Sequence, residues 1–207
     1  MHEYEKAIKD FNEAIRLDPN FVKAYNNRGN AWKHKKDYIQ AFKDFNEAIR
    51  LDPNCAPAFN NRGLAWSDLK EYEKAIKDFN EAIRLDPKYA LAYNNRGTAW
   101  GEMQDYDKAI KDFNEAIRID PKYAPAYTNR GLAWREKKDY YEAIKDFGVA
   151  ISLDSNDFNA YNHRGIAWAN MKEFRKALND FNEAIRINPD FQHAISNRAL
   201  AIKDLSR

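Results

Sequence analysis

At 207 residues, with 34 Lys+Arg against 32 Asp+Glu, a formal net charge of +2 and a mean hydropathy of −0.85, the chain is long enough to bury a sizeable core and nearly balanced in charge. That balance argues against a nucleic-acid binder, which carries a clear basic excess, and no run of about 18 apolar residues is present to cross a membrane as a helix. Cys55 is the only cysteine, so no intramolecular disulfide can form; with no basic-then-apolar leader at the start, a cytoplasmic location is expected.

Pro19, Pro53, Pro87 and Pro121 stand 34 residues apart; Ser155 holds the next place and Pro189 resumes the series. Gly29, Gly63, Gly97, Gly131 and Gly165 keep the same step, as do Trp32, Trp66, Trp100, Trp134 and Trp168. With Val22 as position 1, the chain divides into a half repeat (1–21), five complete repeats (22–55, 56–89, 90–123, 124–157 and 158–191) and a second half repeat (192–207), together one array. The third repeat shows the unit most clearly, in the stretch Ala92–Pro121. A first helix is predicted from about Ala90 to Met103, where Tyr93, Gly97 and Trp100 fall on one face. A second is predicted from about Tyr106 to Ile119, capped by Asp105, with Ala109, Phe113 and Ala116 as its buried stripe and Asp120-Pro121 as its stop. The five tryptophans in register are expected to form a continuous aromatic spine.

A 34-residue period punctuated by these Trp, Gly, Ala, Phe and Pro residues resembles the tetratricopeptide repeat (TPR) family over essentially the whole chain. The resemblance implies an all-α fold, a right-handed superhelical solenoid of antiparallel helix pairs, acting as a scaffold for protein–protein interaction. It also implies that positions 2, 5, 6, 9, 12 and 13 of each first helix line a concave groove.

Two of those positions are filled by asparagine columns: Asn26, Asn60, Asn94 and Asn162 at position 5, and Asn27, Asn61, Asn95 and Asn129 at position 6, where His163 breaks the run before Asn197. Thr128 and Ser196 stand in the position-5 column. Asparagine has no helix propensity to justify a mid-helix column, and its amide both donates and accepts, which suits reading the backbone of an extended peptide. The column is similar to the asparagine ladder of the TPR superhelix in O-linked N-acetylglucosamine transferase. The competing reading is that these amides bond to neighbouring helices, and asparagine also recurs outside the groove set, at Asn46 and Asn80. Leu64, Thr98, Leu132 and Ile166 at position 9 would contact ligand side chains. Groove charges are sparse (Lys23, Lys33, Asp68, Glu102, Arg135, Glu136), and the lysine and arginine of the family's carboxylate clamp are missing from positions 5 and 6, so a chaperone C-terminus is not the expected ligand.

Arginine replaces the family's leucine at position 7 in every copy (Arg28, Arg62, Arg96, Arg130, Arg164, Arg198), and position 23 is always aspartate (Asp10, Asp44, Asp78, Asp112, Asp146, Asp180). A ladder of ion pairs is expected, because a packed arginine needs a partner. The chain ends suggest pairing between repeats, Asp10 with Arg28 and Asp180 with Arg198. In the fourth repeat Gly148, Val149 and Ser152 replace Asn, Glu and Arg, so a weaker helix is expected near 140–153, with drift the plain explanation and a secondary contact through Val149 the other.

No catalytic constellation or phosphate-binding glycine loop is present, and no enzyme activity or cofactor is expected; His163 and His193 lack a third ligand, so no metal is expected either. The alternative function is self-association. Ala7 and Phe11 at one end and Ile195 and Ile202 at the other expose packing faces, and 192–207 of one molecule with 1–21 of another would make one repeat, giving a homo-oligomer by head-to-tail stacking. Truncation of a longer array explains the same ends.

Overall fold

A computed structural model of the chain describes residues 2–206, with side chains from residue 3. The described residues form twelve α-helices in successive antiparallel pairs, and they divide into two compact units. The first unit, up to Met103, holds α1 (His2–Leu17), α2 (Val22–His34), α3 (Tyr38–Leu51), α4 (Ala56–Asp68), α5 (Tyr72–Leu85) and α6 (Ala90–Glu102). The second, from Gln104, holds α7 (Tyr106–Ile119), α8 (Ala124–Glu136), α9 (Tyr140–Leu153), α10 (Phe158–Asn170), α11 (Phe174–Ile187) and α12 (Gln192–Leu205).

The helix ends follow local chemistry. The carboxylates of Asp37, Asp105 and Asp139 cap second helices by accepting from the amides of Gln40, Lys108 and Glu142 at 3.2, 3.2 and 3.3 Å. First helices end in a residue of left-handed backbone: Lys36, Lys70, Gln104, Lys138 and Lys172, with φ of 61 to 64°. Second helices end where an extended Asp or Asn turns the chain, its side-chain oxygen accepting from the amide two residues on, as from Asn54 to Asp52 at 2.9 Å. The turn survives Ser155 in place of proline, since the Asn156 amide still donates to Asp154 at 3.0 Å. Helix α9 likewise spans the same 14 residues as its counterparts, so the weakness expected from Gly148 does not shorten it.

In each unit α2/α3, α4/α5, α8/α9 and α10/α11 are tightly packed pairs. The close approach depends on glycine. A Cβ built on Gly63 would lie 2.7 Å from Phe79 Cε1, and Gly29, Gly131 and Gly165 meet Phe45, Phe147 and Phe181 at 2.6–2.8 Å. Those four phenylalanines are at most 1% exposed and are the largest side chains fully removed from water. This corrects the expected tryptophan spine: Trp32, Trp66, Trp134 and Trp168 are only half-buried, with the ammonium groups of Lys35, Lys74, Lys137 and Lys176 lying 4.5–5.6 Å from their ring centres. The phenylalanine wedged over glycine is the core; the tryptophan is its lid.

Candidate functional site

The first helices of neighbouring repeats touch within each unit, α2 with α4 and α4 with α6, and α8 with α10 and α10 with α12, so their outward positions share one face. The two asparagine columns occupy different depths on it. Position 5 lies beneath the surface: Asn60 is fully buried and Asn26, Asn94 and Asn162 are buried. Position 6 lies above: Asn61, Asn95, Asn129, His163 and Asn197 are half-buried, and Asn27 is exposed.

The columns are stitched together. Asn61 Nδ2 donates to Asn26 Oδ1 at 3.1 Å, Asn95 to Asn60 at 2.9 Å and Asn197 to Asn162 at 3.0 Å, each reaching to the preceding repeat. Asn60 Nδ2 donates in turn to Asn61 Oδ1 at 3.3 Å. The position-5 amides are thus committed to the interior, while at position 6 Asn61, which donates one N–H and accepts one bond within the column, keeps one N–H and one lone pair. Thr98 is exposed, but its hydroxyl donates back to the Asn94 carbonyl at 3.0 Å. Leu64, Leu132 and Ile166 are half-buried and also pack against core clusters. In the second unit, Ile166, Phe174, Asn197, Leu200 and Asp204 line a pocket of about 250 Å³, open to solvent on this face.

The column is interrupted at His163, and the sequence reading missed what replaces it. Arg135 Nη1 lies 3.3 Å from His163 Nδ1, so Nδ1 is the acceptor and the proton sits on Nε2. Burial first and the Arg135 charge second hold His163 down at about 4, so the ring is neutral at physiological pH. The available signal was a paired departure, Thr128 at position 5 followed by His163 at position 6 of the next repeat. Lys33, on the same face of the first unit, is held below the usual lysine range by burial, with Asp68 opposing.

The arginine ladder exists with a different register from the one expected. Arg28 donates through Nε and Nη2 to both oxygens of Asp44 in its own repeat, at 2.8 and 2.6 Å, and not to Asp10. Arg62–Asp78, Arg130–Asp146 and Arg164–Asp180 repeat the geometry, so Asp180 is not the partner of Arg198. The side chains sit 16 residues apart on the two helices of one pair, which face each other directly. The link between repeats is the third nitrogen: Arg28 Nη1 donates to Asn12 at 2.6 Å, Arg62 to Asn46 at 2.7 Å and Arg130 to Asn114 at 2.5 Å. The asparagine recurring outside the groove set is therefore this acceptor. Burial pushes the Asp146 carboxyl up while its two guanidinium bonds pull it back, and those bonds raise Arg130.

The tetratricopeptide repeat profile matches residues 22–55, 56–89, 90–123 and 158–191, and related TPR profiles match 2–35 and 124–157. The chain belongs to the tetratricopeptide repeat family. A comparison with curated protein sequences gave no match. Among solved structures, this TPR chain is similar to YrrB, described as a TPR protein with an unusual peptide-binding site, at 21% identity and a TM-score of 0.69 over 91% of this chain and 97% of that one. It is similar to MamA at 24% identity and a TM-score of 0.70, over 81% and 92% of the two chains. In the Cut9–Hcn1 assembly of the APC/C, it matches at 21% identity and a TM-score of 0.85, spanning 97% of itself but 40% of that chain. At these identities the likeness is one of TPR fold. No helix among the described residues is long and apolar enough to cross a membrane.

Proposed function

We propose that the first-helix face of each unit of the TPR array binds an extended peptide. The observation that carries the reading is the layered asparagine pair. The buried position-5 amides hold the position-6 amides at a fixed height, and Asn61, Asn95 and Asn197, each giving one N–H to the column, keep a second N–H and oxygen lone-pair capacity for a ligand. A preorganised amide of this kind matches the N–H and C=O of a peptide bond without regard to side chain. The open pocket bounded by Ile166, Phe174 and Leu200, beside Asn197, suits an apolar ligand side chain. YrrB, with the same fold, is a peptide binder by its description, which supports the reading. In the first unit Asn27, Asn61 and Asn95 are the proposed backbone contacts, with Leu64 beneath a ligand side chain and Asn26, Asn60 and Asn94 in support; in the second they are Asn129 and His163, with Leu132, Ile166 and the supporting Asn162.

The test leaves the buried network intact. Peptides selected on the whole chain are resynthesised with single backbone N-methyl groups. Alternate N-methylations that weaken binding about tenfold or more, the worth of one lost hydrogen bond with its steric penalty, support backbone reading. Affinity insensitive to every N-methyl group refutes it.

End-to-end association is a second reading, with one observation in its favour. Among the described residues, exposed Asp10 has no arginine partner, and Arg198 reaches only Asn182, at 3.2 Å, with no aspartate. In stacked molecules the two would face each other as Arg28 faces Asp44. Ile202 is 53% exposed, whereas Ala7, Phe11 and Ile195 are half-buried. Ala199 opposes a seamless joint, because it stands where other repeats have the glycine that receives phenylalanine. Sedimentation decides: a concentration-dependent oligomer abolished by Asp10→Lys supports stacking, and a monomer throughout rejects it.

A further inference from the structure

The outward surface of α9 departs from that of every other second helix, and its three changes meet at one point. In five repeats Nη1 of the position-7 arginine donates to an asparagine of the preceding second helix: Arg28 to Asn12, Arg62 to Asn46, Arg96 to Asn80, Arg130 to Asn114 and Arg198 to Asn182. For Arg164 that place is Gly148. A Cβ built there would lie 3.7 Å from Arg164 Nη1, so this is the missing acceptor's own position. Arg164 Nε and Nη2 are held by Asp180, at 2.8 and 2.7 Å, and Nη1 has no protein acceptor. Since no buried side-chain nitrogen or oxygen among the described residues lacks a partner, Nη1 is open to water.

The neighbouring substitutions remove charge from the same surface. Elsewhere the second helix carries a Glu–Arg pair three residues apart, at 13/16, 47/50, 81/84, 115/118 and 183/186. Here Val149 and Ser152 replace it, and the Ser152 hydroxyl is turned back onto the Val149 carbonyl at 2.7 Å. Lys145, one turn before Val149, is paired with Glu142 at 3.6 Å. Tyr141, on the same stripe of α9, is 71% exposed. Arg164 Nη1 has thus lost the acceptor that serves its counterparts, and the rim beside it has become apolar.

We propose that this notch, on the second-helix face and separate from the peptide site, docks a protein segment that places an aspartate or glutamate carboxylate on Arg164 Nη1 and an apolar side chain against Val149 and Tyr141. Charge selects the occupant. Arg164 Nη1 belongs to a guanidinium whose other two nitrogens are held by Asp180, and Lys145 adds a second positive charge on α9. A carboxylate therefore gains a charge-assisted bond that a neutral amide does not match.

Restoring the pattern of the other repeats tests this with no threat to the fold. Gly148→Asn returns the amide to Arg164, and Gly148→Asn/Val149→Glu/Ser152→Arg rebuilds the whole surface from residues the helix tolerates elsewhere. Displayed peptide libraries are selected on the full natural chain and counter-screened on the triple variant. Enriched peptides are expected to carry Asp or Glu beside an apolar residue. They should lose roughly ten- to a hundredfold in affinity on Gly148→Asn, and similarly when their acid is changed to alanine, the range of one charge-assisted hydrogen bond. Peptides that bind both chains alike, that need no acid, or that never prefer the natural chain overturn the proposal. So does sedimentation showing that the chain self-associates through this surface, since a second copy is then the occupant.

Discussion

Replacing Gly63 by alanine tests the wedge on which each helix pair is built. Two effects oppose. Alanine gains about 1 kcal/mol over glycine in a helix interior. Its methyl would meet three ring atoms of Phe79, Cε1 at 2.7 Å, Cδ1 at 2.9 Å and Cζ at 3.1 Å. Phe79 is 0% exposed, so its ring cannot swing into solvent and the helices must part. Overpacking of this kind costs about 1–3 kcal/mol, which leaves Gly63→Ala destabilised by about 0–2 kcal/mol. Gly101 is the control, with nothing within 4 Å of its built Cβ. Gly101→Ala should therefore stabilise by nearly the full propensity gain, about 1 kcal/mol. Urea unfolding followed by far-UV circular dichroism reads both, compared through transition midpoints because a repeat array need not unfold in two states. Midpoints that rise together by similar amounts would refute the wedge argument.

Asp78→Ala leaves a largely buried guanidinium without its carboxylate and should cost about 3–5 kcal/mol, whereas Arg62→Leu/Asp78→Ala should recover most of that, because an apolar pair of similar volume replaces a buried ion pair at little cost; denaturant midpoints of the single and double variants check it. His163 ties stability to pH. Its folded value of about 4 lies below the usual 6.5, so the unfolded chain takes up a proton first. The contribution is complete above about pH 6.5 and is lost as the pH falls toward 4, up to about 3 kcal/mol. Comparing melts of the natural chain and His163→Asn across that window should show the natural chain lose up to about 3 kcal/mol relative to the variant as the pH falls. Lys70, at φ 61°, bears the strain of a left-handed backbone, so Lys70→Gly should raise the unfolding midpoint by the equivalent of up to about 1 kcal/mol.

The helices were legible because their ends are chemical: Asp105 as cap, Asp120-Pro121 as stop, and a 34-residue period that fixes the rest. Depth was harder to read. Asn60 and Asn61 look alike in sequence, but consecutive residues on a helix point about 100° apart. Ala56, Asn60 and Gly63 follow the i, i+4, i+7 stripe that packs inward, which carries position 5 below the surface and leaves position 6 on it. The ladder register was misread from the chain ends. Which aspartate meets Arg28 depends on how two helices face each other, and nothing in a one-dimensional count of unmatched residues contains that geometry. The Arg135–His163 contact spans 28 residues and shows in the sequence only as two small departures from a repeated pattern.

Arg28, Arg62 and Arg130 each join their own aspartate to the asparagine of the preceding second helix, and so carry a nearest-neighbour coupling as well as an ion pair. In a linear array such couplings decide how many units open together. Arg130 couples α7 to α8 and α9 through Asn114 and Asp146. Arg164 couples only α10 to α11, because Gly148 gives it nothing on α9 to hold. The junction of α9 and α10 therefore lacks this polar coupling and is held by apolar packing, Ala150 and Ile151 against Ala160. In a linear array this makes cooperativity across α9–α10 depend on apolar burial alone, whereas across α7–α8 it depends also on a guanidinium held at both ends.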